Sequence, residues 1–174
     1  MGGATESAVL VVVPVAEPVV GPYRARFDWA AARGVPAHVT VVYPFVPPAD
    51  LVAGVVDTLR ATIATVPRFR ATFATTGWFG TDVLWLDPQP SDRFRALTAA
   101  VMAAFPDYPP YGGAYDDVIP HLTIGDDAEP ARLREAESQV RQQLPIGMEV
   151  TAAELWVGSD AEGAWHEVAS LPLG

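Results

Sequence analysis

The sequence contains no cysteine. That excludes disulfides, thiol catalysis and thiolate metal sites, and it fits a cytoplasmic setting. Lysine is absent too: all 11 basic residues are arginine, set against 21 Asp and Glu, for a formal charge of -10. Such an acidic chain has no broad field to draw in nucleic acid phosphates, so a grip on a polynucleotide would need a local basic patch. The arginines supply none, because Arg24/Arg26, Arg68/Arg70 and Arg93/Arg95 are scattered pairs. Long apolar runs are missing as well. The longest near the start, Ala8 to Val15, is too short to span a bilayer and follows an acidic beginning, so neither a signal peptide nor a membrane anchor is expected. Met1 to Ser7 reads as a loose, exposed leader.

What is present is a chain of 174 residues, 50% of them hydrophobic, with a mean hydropathy of +0.19. It is apolar enough to fold and long enough for one full core or two small coupled lobes. Of its 3 histidines, two occupy the same place in the same pattern, His38-Val39-Thr40-Val41 and His121-Leu122-Thr123-Ile124. Each tetrad alternates polar and apolar with period two, so in a strand His and Thr share one face and the aliphatic residues the other. Two such strands side by side would present two imidazoles and two hydroxyls to one cleft.

The remaining pattern supplies the scaffold. Val9 to Val13 reads as a buried strand stopped by Pro14, and Ala16 to Gly21 as a loop. Pro22 then suits the first turn of a helix carrying Tyr23, Phe27, Trp29 and Ala30 to Ala32, with Arg24 and Arg26 at its start, facing either the cleft or, as the plainer expectation, solvent. The first His strand runs from His38 to Phe45, and a helix over about 49–66 follows, with Leu51, Val55, Leu59 and Ile63 at helical spacing. Phe69 to Trp78 and Val83 to Leu86 form a hairpin across Gly80-Thr81-Asp82. Ser91 is placed to cap a helix to Phe105 whose stripe is Phe94, Leu97, Val101 and Met102. A Pro/Gly/Tyr-rich loop, Pro106 to Asp117, leads into the second His strand, Val118 to Gly125. A helix over 129–144 and two strands, Met148 to Trp156 and Trp165 to Leu171, complete the chain.

If the strand near 83–87 is counted twice, both halves read strand, helix, His strand, helix, strand, strand. The expected fold is therefore α+β: one bilobal domain over 1–174, with repeat units at about 8–87 and 83–172. Two pseudo-symmetric lobes, each an antiparallel sheet with outer helices, would flank a central cleft to which each contributes one His.

Two imidazoles facing a bound group can divide acid and base work, because a side chain with an ordinary pKa of roughly 6.5 holds both protonation states near neutral pH. A Thr two residues along can donate to an anionic oxygen, and a pair of them would hold a tetrahedral anion from two sides. Asp116, Asp117, Asp126 and Asp127 flank the second tetrad, but each His has a hydroxyl partner instead of a carboxylate at ligand spacing, so no metal is expected and the acids read as turn or cap residues.

The two His-x-Thr-x tetrads, separated by about half the chain, resemble those of the 2H phosphoesterase superfamily, which includes RNA 2',3'-cyclic phosphodiesterases and 2'-5' RNA ligases. The resemblance implies a metal-independent site, without cofactor, acting on 2',3'-cyclic phosphates or 2'-5' phosphodiester bonds. It implies catalytic roles for His38 and His121 and phosphate binding by Thr40 and Thr123, one imidazole activating water and the other protonating the leaving ribose oxygen. Without a basic surface, the substrate expected is a nucleotide or a short RNA end, handled by a monomer. Candidates for base stacking at the rim are Tyr43, Phe45, Trp78, Tyr111 and Tyr115, with Phe79 and Trp156 as further aromatics. The other functional class that these residues allow is a protein that binds a nucleotide or phosphate in the same cleft without turning it over.

Overall fold

Val9 to Val12 form the second half of β1 (Glu6–Val12), which is buried almost throughout in the computed structural model, whose description covers residues 3–174. Burial of both faces explains why the run is unbroken. Val9 and Val11 enter the main core, whereas Ala8 and Leu10 join a second cluster with Val35 and Trp165. Beyond β1 come α1 (Glu17–Phe27), the short α2 (Trp29–Ala32), β2 (His38–Val42), α3 (Ala53–Ile63), β3 (Phe69–Phe79) and β4 (Val83–Gln89). The rest of the chain forms α4 (Ser91–Ala104), β5 (Leu122–Gly125), α5 (Pro130–Arg141), β6 (Ile146–Val150), β7 (Ala152–Gly158) and β8 (His166–Pro172).

The strands pair antiparallel into two four-stranded sheets, β2-β1-β7-β8 and β5-β4-β3-β6. Two related lobes of α+β type result, with each His strand at a sheet edge beside a central strand. The repeat is interleaved, however, where units at about 8–87 and 83–172 would be consecutive. β3 and β6 complete the second sheet, and β7 and β8 the first. β3 pairs with β4 as an antiparallel hairpin across residues 80–82, which places β3 in the second sheet. A single core cluster, with Val39, Val41, Phe73, Leu86, Leu122 and Leu155 among its members, runs through both lobes.

Several boundaries differ from expectation for local reasons. Met148 to Trp156 is two strands, because the chain crosses from β3 to β1 at Thr151. The crossing leaves a mark: buried Val150 is followed by buried Ala153 and Leu155, a change of phase in the alternation. The leader is shorter than expected, since Ser7 lies in β1, fully buried, with its hydroxyl donating to the Val46 carbonyl at 2.6 Å; Met1 and Gly2 lie outside the described residues. Ser91 opens α4 as its first residue after Pro90 and makes no cap, and Met102 is exposed.

The first helix differs most. It begins at Glu17 and contains Pro22, so the expected loop over 16–21 is helical. An interior proline costs about 3 kcal/mol. Burying Val19 and Val20 on the core side offsets that, at about 1.5–3 kcal/mol each. The same helical phase buries Arg24 where solvent was expected. Its guanidinium donates to Asp28 Oδ2 at 2.8 Å and to the Val35 carbonyl at 3.1 Å, while Asp28 Oδ1 accepts from the Ala30 amide at 2.9 Å and so caps α2.

Removing one partner of a buried ion pair strands the other charge, so Arg24→Ala is expected to lower the unfolding free energy by about 3–5 kcal/mol. Denaturant unfolding of the variant against the parent protein measures this, and a loss below about 1 kcal/mol would contradict it.

Candidate active site

The two sheets meet through their His strands, β2 and β5, whose outer edges approach each other. On β2, Val39 and Val41 are in the core, and this turns His38 and Thr40 to the opposite face. Antiparallel pairing sets His38 opposite Val12 and Thr40 opposite Leu10. On β5, Leu122 and Ile124 are in the core and Thr123 lies opposite Trp85. His121 stands one residue before β5, because Pro120 has no amide hydrogen with which to extend the ladder. His38, Thr40, His121 and Thr123 line one cleft of about 670 Å³.

Both imidazoles are held in the same way. His38 Nδ1 lies 2.7 Å from the Pro36 carbonyl, and His121 Nδ1 lies 2.7 Å from the Ile119 carbonyl. A carbonyl oxygen only accepts, so each Nδ1 carries the hydrogen and each Nε2 is left free to take or give a proton. The rings are oriented before any ligand arrives.

Their electrostatics match this geometry. Burial lowers the His38 pKa to about 4; the hydrogen bond to Pro36 opposes the shift, and the charges of Arg24 and His121 add to it. Burial lowers the His121 pKa as well, against the hydrogen bond to Ile119. Around His121 stand Phe79, edge-on at 4.9 Å between ring centroids, and Trp85 at 6.2 Å. Trp85 can lie there because residue 77 is glycine: a Cβ at that position would come within 2.4 Å of its ring.

A sequence model of the 2'-5' RNA ligase superfamily matches residues 11–162. The chain belongs to that superfamily, the 2H phosphoesterases. Among solved structures, apo LigT of E. coli is similar over 99% of both chains, at 18% identity and a TM-score of 0.63. LigT complexed with 3'-AMP is similar over 98% of both, at 19% identity and a TM-score of 0.61. TT0787 of Thermus thermophilus is similar over 96% of this chain and 97% of its own, at 14% identity and a TM-score of 0.60. At these identities the likeness is one of fold. No curated protein matches.

In this member of the superfamily, the expected aromatic rim is only partly assembled. Tyr43, Tyr111 and Tyr115 line the cleft. Simple alternation would have kept Tyr43 off the His face, but a register shift between Val9 and Leu10 puts Val41 and Val42 both in the core and returns Tyr43 to the cleft. Its hydroxyl donates to Glu6 Oε1 at 3.1 Å, and burial, with Glu6 nearby, pushes the phenol up to about 12. The amide of Tyr111 donates to the Tyr43 carbonyl at 2.6 Å, which ties the loop across the end of β2. The Tyr111 phenol is raised by burial, an effect opposed by a hydrogen bond with Thr40. Phe45 and Trp78 are corrections. Phe45 is buried against Phe105 and Tyr108, and Trp78 packs on the core, so neither reaches the cleft. Trp156 bonds Glu154 and lies outside the cleft lining too.

Residues that the sequence reading missed are Trp29, Trp85, Trp165 and the carboxylates. Trp29 and Trp165 line the cleft and Trp85 flanks His121. Trp85 shares a strand face with Val83, which lines the cleft, but nothing in the local sequence marked either as part of the site. Asp117 and Asp126 line the cleft as well as bounding the tetrad, and Asp117 is paired with Arg95. Among the described residues, no three of His, Cys, Asp and Glu converge as a metal-binding group.

Imidazole NMR of the free protein at neutral pH is expected to show both rings neutral and protonated on Nδ1, with His38 titrating near pH 4. Because its folded-state value lies below the ordinary 6.5, the unfolded chain binds the proton more tightly, and stability should fall as the pH drops from about 6.5 towards about 4. Inorganic phosphate should raise both titrations. A His38 midpoint above 6.5 would contradict the burial argument.

Proposed function

We propose that the protein is a metal-independent phosphodiesterase that opens 2',3'-cyclic phosphates or 2'-5' phosphodiester bonds of nucleotides or RNA ends by two-histidine acid-base catalysis. The observation that carries this reading is the matched pair of imidazoles, each fixed through Nδ1 to the carbonyl two residues before it and each with a Thr in the same cleft. Superfamily membership supports it, and LigT has been crystallised with phosphate, 3'-AMP, ATP and NADP+. The protein is read as a cytoplasmic monomer; among the described residues no helix is long and apolar enough to cross a membrane.

The proposed reaction begins with a cyclic phosphodiester between the two tetrads. Thr40 and Thr123 donate hydrogen bonds to its non-bridging oxygens, which gain charge in the transition state. One imidazole Nε2 takes a proton from water as the water oxygen bonds to phosphorus. The bond from phosphorus to one ribose oxygen breaks, and the other imidazole, protonated on Nε2, gives that oxygen its proton. The product is a phosphomonoester with a free hydroxyl. The bound anion favours the protonated state of the acid, which burial alone opposes. In the reverse direction the two histidines exchange roles.

His38→Ala or His121→Ala is expected to cut turnover of a nucleoside 2',3'-cyclic phosphate by about 10²- to 10⁴-fold each, with little loss of stability. Thr40→Ala or Thr123→Ala should cost about 2 to 4 kcal/mol of transition-state stabilisation, read from kcat/KM. Activity should survive EDTA. Full activity in the double His variant would end the proposal, and tight binding of an intact ligand by the parent protein would identify a binding protein instead.

A further inference from the structure

We infer that the cleft selects ligands carrying a single phosphate and turns away those with a second one. This rests on the phosphodiesterase reading and narrows its substrate class to cyclic phosphodiesters of nucleosides whose 5'-hydroxyl is free.

The charges of the cleft carry the argument. Among the described residues, the charged side chains lining it are Asp28, Asp117 and Asp126, with no arginine. Arg24 compensates Asp28 from behind the wall, and Arg95 compensates Asp117 at the rim. Asp126 has no cationic partner among the described residues, and its buried Oδ1 accepts no hydrogen bond. It lies three residues beyond Thr123, just past the end of β5. Burial, with Asp28 close by, pushes its carboxyl up to about 6 against hydrogen bonding from Trp29, so it is ionised in mildly alkaline solution.

The remaining wall includes Leu10, Trp29, Val83 and Ile119, and such apolar surfaces concentrate a field more than they screen it. One phosphodiester anion is held by the Thr hydroxyls and by an imidazole that can become cationic. Hydrogen bonds of this kind orient one anion without neutralising two. A terminal phosphate adds about 1.5 to 2 negative charges, and among the described residues no free cation in the wall receives them.

The test is calorimetric binding at about pH 8, where Asp126 and a terminal phosphate are both ionised. The probes are a nucleoside 2',3'-cyclic phosphate with a free 5'-hydroxyl, the same compound with a 5'-phosphate, and a nucleoside 5'-triphosphate. The first should bind at least about tenfold more tightly than either of the others. Raising the salt from about 0.1 M to about 1 M shortens the screening length from about 10 Å to about 3 Å and should narrow that ratio. Asp126→Asn should narrow it too, and if that variant does not fold, the salt series decides. Equal or tighter binding of the 5'-phosphate, or a ratio that salt leaves unchanged, overturns the inference. If the protein still hydrolyses the cyclic phosphate in that case, the phosphodiesterase reading stands; if no probe binds or turns over, both fall.

Discussion

The site depends on one constraint, the period of two along a pair of edge strands that are buried on a single face. Val39 and Val41 on β2, and Leu122 and Ile124 on β5, are anchored in a common core, so His38, Thr40 and Thr123 face away from it. Burying each aliphatic side chain contributes about 1.5–3 kcal/mol, and a slip of one residue would forfeit several of these at once. The cleft face is therefore held by the same energy that holds the fold. Both His strands are sheet edges, and among the described residues no further strand stands between them.

A second level of order lies in the backbone just before each histidine. Pro36 and Ile119 offer carbonyls at 2.7 Å that choose the tautomer and fix the ring plane. Around these rings the cleft is apolar and short of cations. Arg24 lies behind its wall, neutralising Asp28 and binding the Val35 carbonyl, while its charge helps to keep His38 neutral. Such a cleft presents hydroxyl donors and two imidazoles that burial keeps uncharged near neutral pH.

Much of the scaffold was legible because it is periodic over short distances. The stripes Leu59/Ile63, Phe94/Leu97/Val101 and Leu133/Ala136/Val140 mark three helices whose buried faces are those residues. Legibility failed where a residue's environment comes from another part of the chain. Arg24 reads as a solvent residue until Asp28 and the Val35 carbonyl close over it. Phe45 and Trp78 read as rim residues, yet Phe105 and Tyr108 cover the first and the core takes the second. Interleaving of the two lobes is hidden for the same reason, since the pairing of β7 with β1 joins segments from opposite ends of the chain.

The sequence by itself determined how His38, Thr40 and Thr123 face, because alternation along a strand is a local property that needs no partner. It also determined the acidic, cysteine-free, lysine-free chemistry available to the protein. Only the tertiary structure decided that the two tetrads share one cleft, that a register shift brings Tyr43 into it, and that Asp126 has no cationic partner among the described residues. Those are consequences of which edges meet and which charges find partners, and both are set by long-range packing that no local pattern encodes.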